Sequence, residues 1–396
     1  MDATDHPTTP ADGEGELHAL ALNSGSSSLK FGLYRVFGTR VTRIVSGEAE
    51  GLGQPRGAFH ALDTRGTPLM RETTAPAGPG EAIEQIVAML ARSHAPLPQV
   101  IGHRIVHGGP AQRDHCRIDG AVLRDLESAV AFAPLHTPAA LSVIRCAEAR
   151  FPGLPQVACF DTTFHRTMPD VARVLALPRE MRARGIERYG FHGLSCESIM
   201  RQLADAAGGS VPQRLAIAHL GNGASITAVH NGRSVDTSMG LTPSGGVIMG
   251  TRSGDLDPGV LVYLARENQF DAAMLEDLID HRSGLLGISG LSSDMRALHA
   301  AAAANVDARL AIRMFCQSVR KQLGAMCVVL DGLDQIVFTG GIGENDGAVR
   351  AEICRGLSSI GVDSTHAGAS CRVHVLPSLE DEQIALHAAS LCRGPK

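Results

Sequence analysis

Residues 17–37 read LHALALNSGSSSLKFGLYRVF. The apolar run from Leu17 to Leu22 predicts a strand, and Ser28 to about Val36 predicts its return. Between them Asn23-Ser24-Gly25-Ser26-Ser27 turns the chain with small polar residues. The unit recurs: Leu215–Leu220 is a second apolar run, Gly221-Asn222-Gly223 turns it, and Ala224–His230 returns. Asn231-Gly232 then marks a two-residue hairpin into Arg233–Asp236. Strand–turn–strand met twice suggests two similar halves, although two unrelated hairpins would read the same way.

Outward from these units, residues 38–80 alternate short apolar runs with Gly and Pro, as further hairpins of one sheet would. Ile83, Ile86, Val87 and Leu90 give Glu81–Arg92 a helical spacing, closed by Pro96 and Pro98. Val100–Val106 predicts a strand running into His107-Gly108-Gly109. Thr137-Pro138 reads as an N-cap with proline at the first helical position, opening a helix to Arg150. Val157–Phe160 predicts a short buried strand that delivers Asp161 at its end. Residues 242–259 read as a loop, and 308–330 as a long buried helix. Gln335–Phe338 predicts a strand entering Thr339-Gly340-Gly341-Ile342-Gly343-Glu344-Asn345, and helices are expected over about 348–360 and 380–392.

The chain has 396 residues, enough at roughly 100–200 per domain for two or three domains. Apolar residues make up 44% and charged residues 19%, which excludes wholesale disorder. A formal charge of −5 argues against a broad basic face for nucleic acid. Lysine occurs only at Lys30, Lys321 and Lys396. Nine cysteines without a CxxC spacing read as reduced thiols of a cytoplasmic protein. The acidic, Pro/Gly-rich start, residues 1–16, reads as a flexible tail without the features of a signal peptide. No run approaches the ~18 apolar residues that cross a bilayer.

A Gly/Ser turn brings backbone N–H groups close to an anion. Asn23–Ser28, Gly221–Ser225 and Gly340–Asn345 all qualify, and three such turns leaving strands suggest a nucleotide cleft. A P-loop and a full GxGxxG after a strand are both missing. Arg104, within Gly102–Gly109, and Arg252, within Met249–Asp255, are glycine-flanked guanidiniums suited to phosphate or carboxylate oxygens. A structural ion pair with a buried Asp reads equally well. His136 and His192 sit in tight turns, as loop hydrogen-bonders or as active-site groups. Asp161 suits Mg²⁺ or its waters, or the capping of the next element. Glu380, Asp381 and Glu382 favour the start of the last helix.

Taken in order, these segments resemble the acetate kinases. Residues 21–31 resemble the family's N-terminal signature and Gly102–Gly109 its second. Phe160–His165, Arg188–Gly193, His219–Ser225, Ser234–Pro258, Ser292–Arg296 and Phe338–Asn345 match too. The resemblance implies an α/β, two-domain actin-like ATPase (ribonuclease-H-like) fold of duplicated topology, with nucleotide in the interdomain cleft. Domains are expected at 17–161, completed by a helix over 380–396, and at 162–379. It implies reversible, Mg²⁺-dependent (Mn²⁺ as substitute), in-line phosphoryl transfer between ATP and acetate, in a cytoplasmic homodimer that needs no nucleic acid or membrane.

Residue by residue, the resemblance assigns Asn23 and Glu380 to Mg²⁺, with Glu382 the alternative one slip away. Lys30, His219, Leu220, Gly221, Asn222, Gly223, Asp294, Met295, Arg296, Gly341, Ile342, Gly343, Glu344 and Asn345 fall to the nucleotide. Arg104 meets the substrate carboxylate, while His192 and Arg252 stabilise the moving phosphoryl. Asp161 is the essential acid and His136 a further active-site histidine. Val106, Leu135, Phe191 and Pro243 form the acyl pocket. Thr137, Leu194, Cys196 and Ser244-Gly245 depart from the common pattern beside that pocket, which leaves propionate or butyrate as alternative substrates. A phosphate-releasing hydrolase or a nucleotide-switched filament protein would not need the carboxylate-side groups.

Overall fold

The structure, a computed structural model, describes residues 15–25, 27–362 and 371–394. The tail expected over 1–16 lies outside the described residues up to residue 14, as do Ser26 of the first turn and residues 395–396. The first sheet contains Leu17–Ser24 (β1), Ser28–Phe37 (β2), Arg40–Glu50 (β3), Ala58–Asp63 (β4), Pro68–Glu72 (β5), Val100–Ile105 (β6), Cys116–Arg117 (β7) and Gln156–Phe160 (β8). Its order is β5-β4-β3-β2-β1-β6-β8-β7. Arg214–Leu220 (β9), Ala224–His230 (β10), Arg233–Thr237 (β11), Gln335–Thr339 (β12) and Arg372–Val375 (β13) form the second, in the order β11-β10-β9-β12-β13.

The two orders match strand for strand. β3-β2-β1-β6-β8 and β11-β10-β9-β12-β13 each set three antiparallel strands beside two parallel ones. The turns after Ser24 and after Leu220 therefore occupy equivalent places, and the sequence echo reflects a repeated topology.

Alternation along the strands sorts each sheet's two faces. Leu20 and Leu22 pack with Ile83, Ile86 and Leu90 of the Pro79–Arg92 helix. Ala19 and Ala21 face the Glu380–Arg393 helix through Ile384, Ala385 and Ala388. That helix lies close because β6 carries Gly102 there: a Cβ would stand 2.6 Å from Ile384 Cγ2. In the second sheet Ala216, Ala218 and Leu220 pack on Phe315, Val319 and Leu323 of the Val306–Val329 helix. Leu215 and Ile217 pack on Cys196 and Ile199 of the Gly193–Ala206 helix.

Several expectations change. Thr137 does not cap its helix: His136 is the N-cap residue, without a side-chain bond, and Thr137 Oγ1 is buried without a partner among the described residues. The turn expected over 340–345 is a short helix: Thr339 ends the strand extended and Gly340 turns at φ 77°. The helix over 306–329 is buried on one face only, with Leu310 and Met314 exposed on the other. Helices Gly120–Ser128, Gly193–Ala206, Pro258–Glu267 and Ala272–His281 stood without an expected helix. The last two have no buried residue, so no core-facing stripe marked them.

Three buried histidines make folding pH-dependent. Burial depresses His103, His107 and His165 from 6.5 to about 4 each. The unfolded chain binds their protons first, so their neutral burial stabilises fully above about pH 6.5 and is lost as pH falls towards about 4. Each contributes on the order of 3 kcal/mol. The melting temperature is expected to fall steeply across that window, and a flat profile in a thermal scan would contradict the neutral rings.

Candidate active site

Strands β1, β6 and β8 run parallel, so their carboxyl ends open on one side of the first sheet. Ligands of open α/β sheets bind at such ends. The register sets Leu22 beside His103 and Ile105 beside Phe160, which brings Asn23, Arg104 and Asp161 together. Arg104 donates through Nε and Nη2 to Asp161 Oδ2 at 3.0 and 2.6 Å, and through Nη1 to Asn23 Oδ1 at 3.3 Å. The buried ion pair weighed from sequence is thus real, and its two partners are both site candidates. Asp161 caps nothing: the turn over Thr163–Thr167 starts on Thr162 without a side-chain bond.

The start of the last helix closes this corner. Asn23 Nδ2 donates to Glu380 Oε2 at 3.2 Å and to Asp381 Oδ1 at 3.0 Å. Glu382 turns away to Arg201 at 3.1 Å. From sequence Asp381 is only a helix-start acid, because no local spacing distinguishes it from its neighbours. Burial pushes the Asp161 carboxyl above its ordinary value, with Arg104 offsetting part of the rise. Burial raises Asp381 to about 6, against the Asn23 hydrogen bond. Glu380 is held below its ordinary value because Arg104, His219 and Asn23 outweigh its burial. One buried and two half-buried carboxyls outnumber the cations here, Arg104 and the Lys30 of the same cavity. Asp161 Oδ1 is buried and reached by no described donor. An all-oxygen set with an orphaned carboxylate oxygen fits a hard divalent cation.

Across the cleft, His192 is a non-glycine residue at φ 58°, a conformation kept only where the surroundings impose it. Its Nδ1 meets Ser225 Oγ at 2.9 Å, and its ring stacks on His219 at 4.1 Å. His219 Nδ1 meets Ser195 Oγ at 2.8 Å. Burial, then His219, Arg104 and Arg252, push His192 well below its ordinary value. That favours the neutral ring, which can donate from one nitrogen while it accepts at the other. Arg252 is loosely held: Nη1 to Pro243 O at 3.4 Å, Nη2 to His136 Nε2 at 3.3 Å, and Asp280 at 4.0 Å. Burial and both arginines lower His136 to about 3, so it accepts that bond as a neutral ring.

Three cavities meet these groups. One of about 680 Å³ is lined by Asn23, Lys30, Arg104, His192, His219, Gly221, Asn222, Gly223, Gly341, Glu344 and Glu380. A second, about 760 Å³, continues past Gly221, Asn222 and Gly341 to Asp294, Met295, Arg296, Ile342 and Asn345. Gly340 allows the joint: at φ 77° a Cβ would stand 2.8 Å from Leu220 O. Leu220 and Gly343 are buried behind the lining. Glu344 accepts from the N–H groups of Gly340 and Ser378, both at 2.9 Å, and so clasps the loop. The third cavity, about 400 Å³, is lined by Leu135, His136, Pro243 and Arg252 with Phe132, Leu275 and Ile279. Val106 and Phe191 are not among its lining residues but lie in the adjoining core with Ala133.

The repeated sheet and the cleft beside it define a two-domain actin-like ATPase fold of the kind that kinases use. A model of the acetokinase family matches residues 18–378. The chain is 41% identical to acetate kinase of Methylocella silvestris over 94% of its own length and 97% of that protein's. It is similar to the crystal structure of Porphyromonas gingivalis acetate kinase, at TM-score 0.83 and 33% identity, covering 95% of this chain and 100% of that one. A propionate kinase from Francisella tularensis matches with TM-score 0.86 and 34% identity over the same shares. The chain belongs to the acetokinase family.

Proposed function

We propose that this protein is an acetate kinase that moves the terminal phosphoryl group of ATP to acetate, reversibly and in line, giving acetyl phosphate and ADP. The observation that carries this reading is the convergence of two guanidiniums. Arg104 and Arg252 come from different halves of the chain, yet both lie close enough to depress the same two imidazoles, His136 and His192. A site of that charge suits two anions that must touch. The acceptor carboxylate is already ionised near neutral pH, so no general base is needed. Its oxygen attacks the γ-phosphorus while the bond to the leaving ADP oxygen breaks, and no proton moves.

The loose transition state spreads charge over the phosphoryl oxygens, and catalysis is positioning plus electrostatics. Arg104 orients the carboxylate, and Arg252 with the neutral His192 donates to the phosphoryl oxygens. The cavity of about 680 Å³ takes the phosphates, that of about 760 Å³ the nucleoside, and that of about 400 Å³ the acyl group. Asp161, Glu380, Asp381 and Asn23 would hold Mg²⁺ and its waters, which would shield phosphate charge. Hydroxamate trapping of acyl phosphate from ATP, Mg²⁺ and a panel of short carboxylates tests the activity. Phosphate release without a carboxylate would point to a hydrolase instead.

Propionate is the second reading. The cavity beside Arg252 extends past Leu135 and Pro243 to Leu275 and Ile279, and the propionate kinase is as similar as the acetate kinase. One methylene separates the acids by about 1–3 kcal/mol. A larger kcat/KM for propionate in the same panel would overturn the acetate preference.

We also propose that the chain divides near Asp161, with the helix from Glu380 completing the first domain. A homodimer is supported by exposed apolar residues on the helices without buried faces, among them Val260, Val262, Tyr263 and Met274, and by Leu310 and Met314. Sedimentation at the mass of a single chain would reject it. Nine free cysteines support a reducing cytoplasm.

A further inference from the structure

One half-buried carboxylate lines none of the three cavities, yet it joins the elements that carry the site. Glu197 lies one turn into the Gly193–Ala206 helix, which starts directly after His192. Its Oε1 meets His115 Nε2 at 3.3 Å, and its Oε2 meets His387 Nε2 at 2.6 Å. His115 in turn accepts at Nδ1 the N–H of Phe160, 3.0 Å away, immediately before Asp161. His387 belongs to the helix that opens with Glu380. The two imidazoles lie against each other, with ring centroids 3.9 Å apart.

Two imidazole nitrogens and a carboxylate oxygen within 4.8 Å of one another also make a metal-ligand set. The Phe160 N–H argues against that use. It occupies Nδ1, so the neutral His115 ring carries its proton on Nε2, the atom a metal would need. Metal-bound histidines instead donate from the second nitrogen. The three groups form a hydrogen-bonded brace, with His115 Nε2–H donating to Glu197. Burial would raise the Glu197 carboxyl, but the two histidine bonds outweigh it and hold the group at about 2.

We propose that Glu197 is a positioning residue for phosphoryl transfer, tying the end of β8, the helix after His192 and the helix from Glu380 into one frame. The inference rests on the acyl-phosphate activity proposed above. A direct bond already links the first two elements, since Gly193 N–H donates to Asp161 O at 2.8 Å. Glu197 reinforces the link to the third, which Arg201 with Glu382 at 3.1 Å and Leu379 N–H with Ser198 Oγ at 3.3 Å also make. Without its charge the three elements keep their folds and their other bonds, and their mutual register loosens. Shifts of about 1 Å cost up to about 100-fold in an aligned transfer while leaving ground-state binding nearly intact.

The test is Glu197→Gln in the full chain, with ADP titrated by calorimetry and acyl phosphate trapped as hydroxamate. Calorimetry reports the number of intact ADP sites, so the rate is expressed per site. The expected result is one ADP site per chain, affinity within about twofold of wild type, and kcat per site reduced about 10- to 100-fold. His387→Gln is expected to act in the same direction, and the double variant to be no worse than Glu197→Gln alone. Ile86→Ala, in the core of the first sheet, controls for plain destabilisation and keeps wild-type kcat per site. An unchanged kcat per site in Glu197→Gln overturns the proposal. So does a loss of rate that only follows a loss of ADP sites, which makes the brace structural. A wild-type chain that binds ADP but traps no acyl phosphate overturns the functional reading as well.

Discussion

Arg252→Ala is expected to lower kcat about 100- to 1000-fold while moving the melting temperature little. The magnitude is that of removing one preorganised donor from a developing oxyanion. Stability is spared because Arg252 holds little in place. Its two protein hydrogen bonds are long, 3.3 and 3.4 Å, and Asp280 stands 4.0 Å away. Burial and the repulsion of Arg104 depress its guanidinium against the pull of Asp280, so the protein alone sets two like charges near each other. Such an arrangement costs folding energy and gains it back when anions bind. Turnover per folded chain, with circular dichroism as the check on folding, measures the effect. Near-normal turnover would remove Arg252 from the transfer step.

Arg104→Ala is expected to cost more, and in a different way. Its guanidinium is bonded to Asp161, which is only 1% exposed, and to Asn23. Removing it loses the carboxylate anchor and leaves a buried acid without its cation. Breaking such a pair costs about 3–5 kcal/mol. The variant should therefore lose more than about 1000-fold in kcat/KM and melt several degrees lower. The double variant Arg104→Ala/Asp161→Asn separates the two effects. It should recover most of the lost stability, since the uncompensated charge is gone, and none of the activity. Recovery of turnover in the double variant would show that the pair only holds the fold.

Much of this site is legible in the sequence because its pieces are local. Asn23 ends a strand before a small-residue turn, Arg104 sits in a strand flanked by glycines, and Asp161 follows a short buried strand. Each is visible within ten residues of chain. The echo between Asn23 and Gly221 was equally local, but its meaning was not. Only the matching strand orders distinguish a repeat from two hairpins. Thr137 misled because a threonine before proline has the composition of a cap, whereas the chain enters that helix through His136. The helices at 258–267 and 272–281 have no core-facing signal in the sequence because neither carries a buried face.

The sequence alone determined the order of strands and turns, the family resemblance and the residue types at each phosphate-facing turn, since these follow from spacing along one stretch of chain. Tertiary structure alone decided which acids at the start of the last helix meet Asn23, that burial favours a neutral His192, and that Glu197 joins three elements. Those facts depend on burial and on partners distant along the chain, such as Asn23 with Glu380 across 357 positions and Glu197 with His387 across 190. No local pattern encodes such pairs, because the dielectric and the geometry that govern them exist only once both sheets have closed on the cleft.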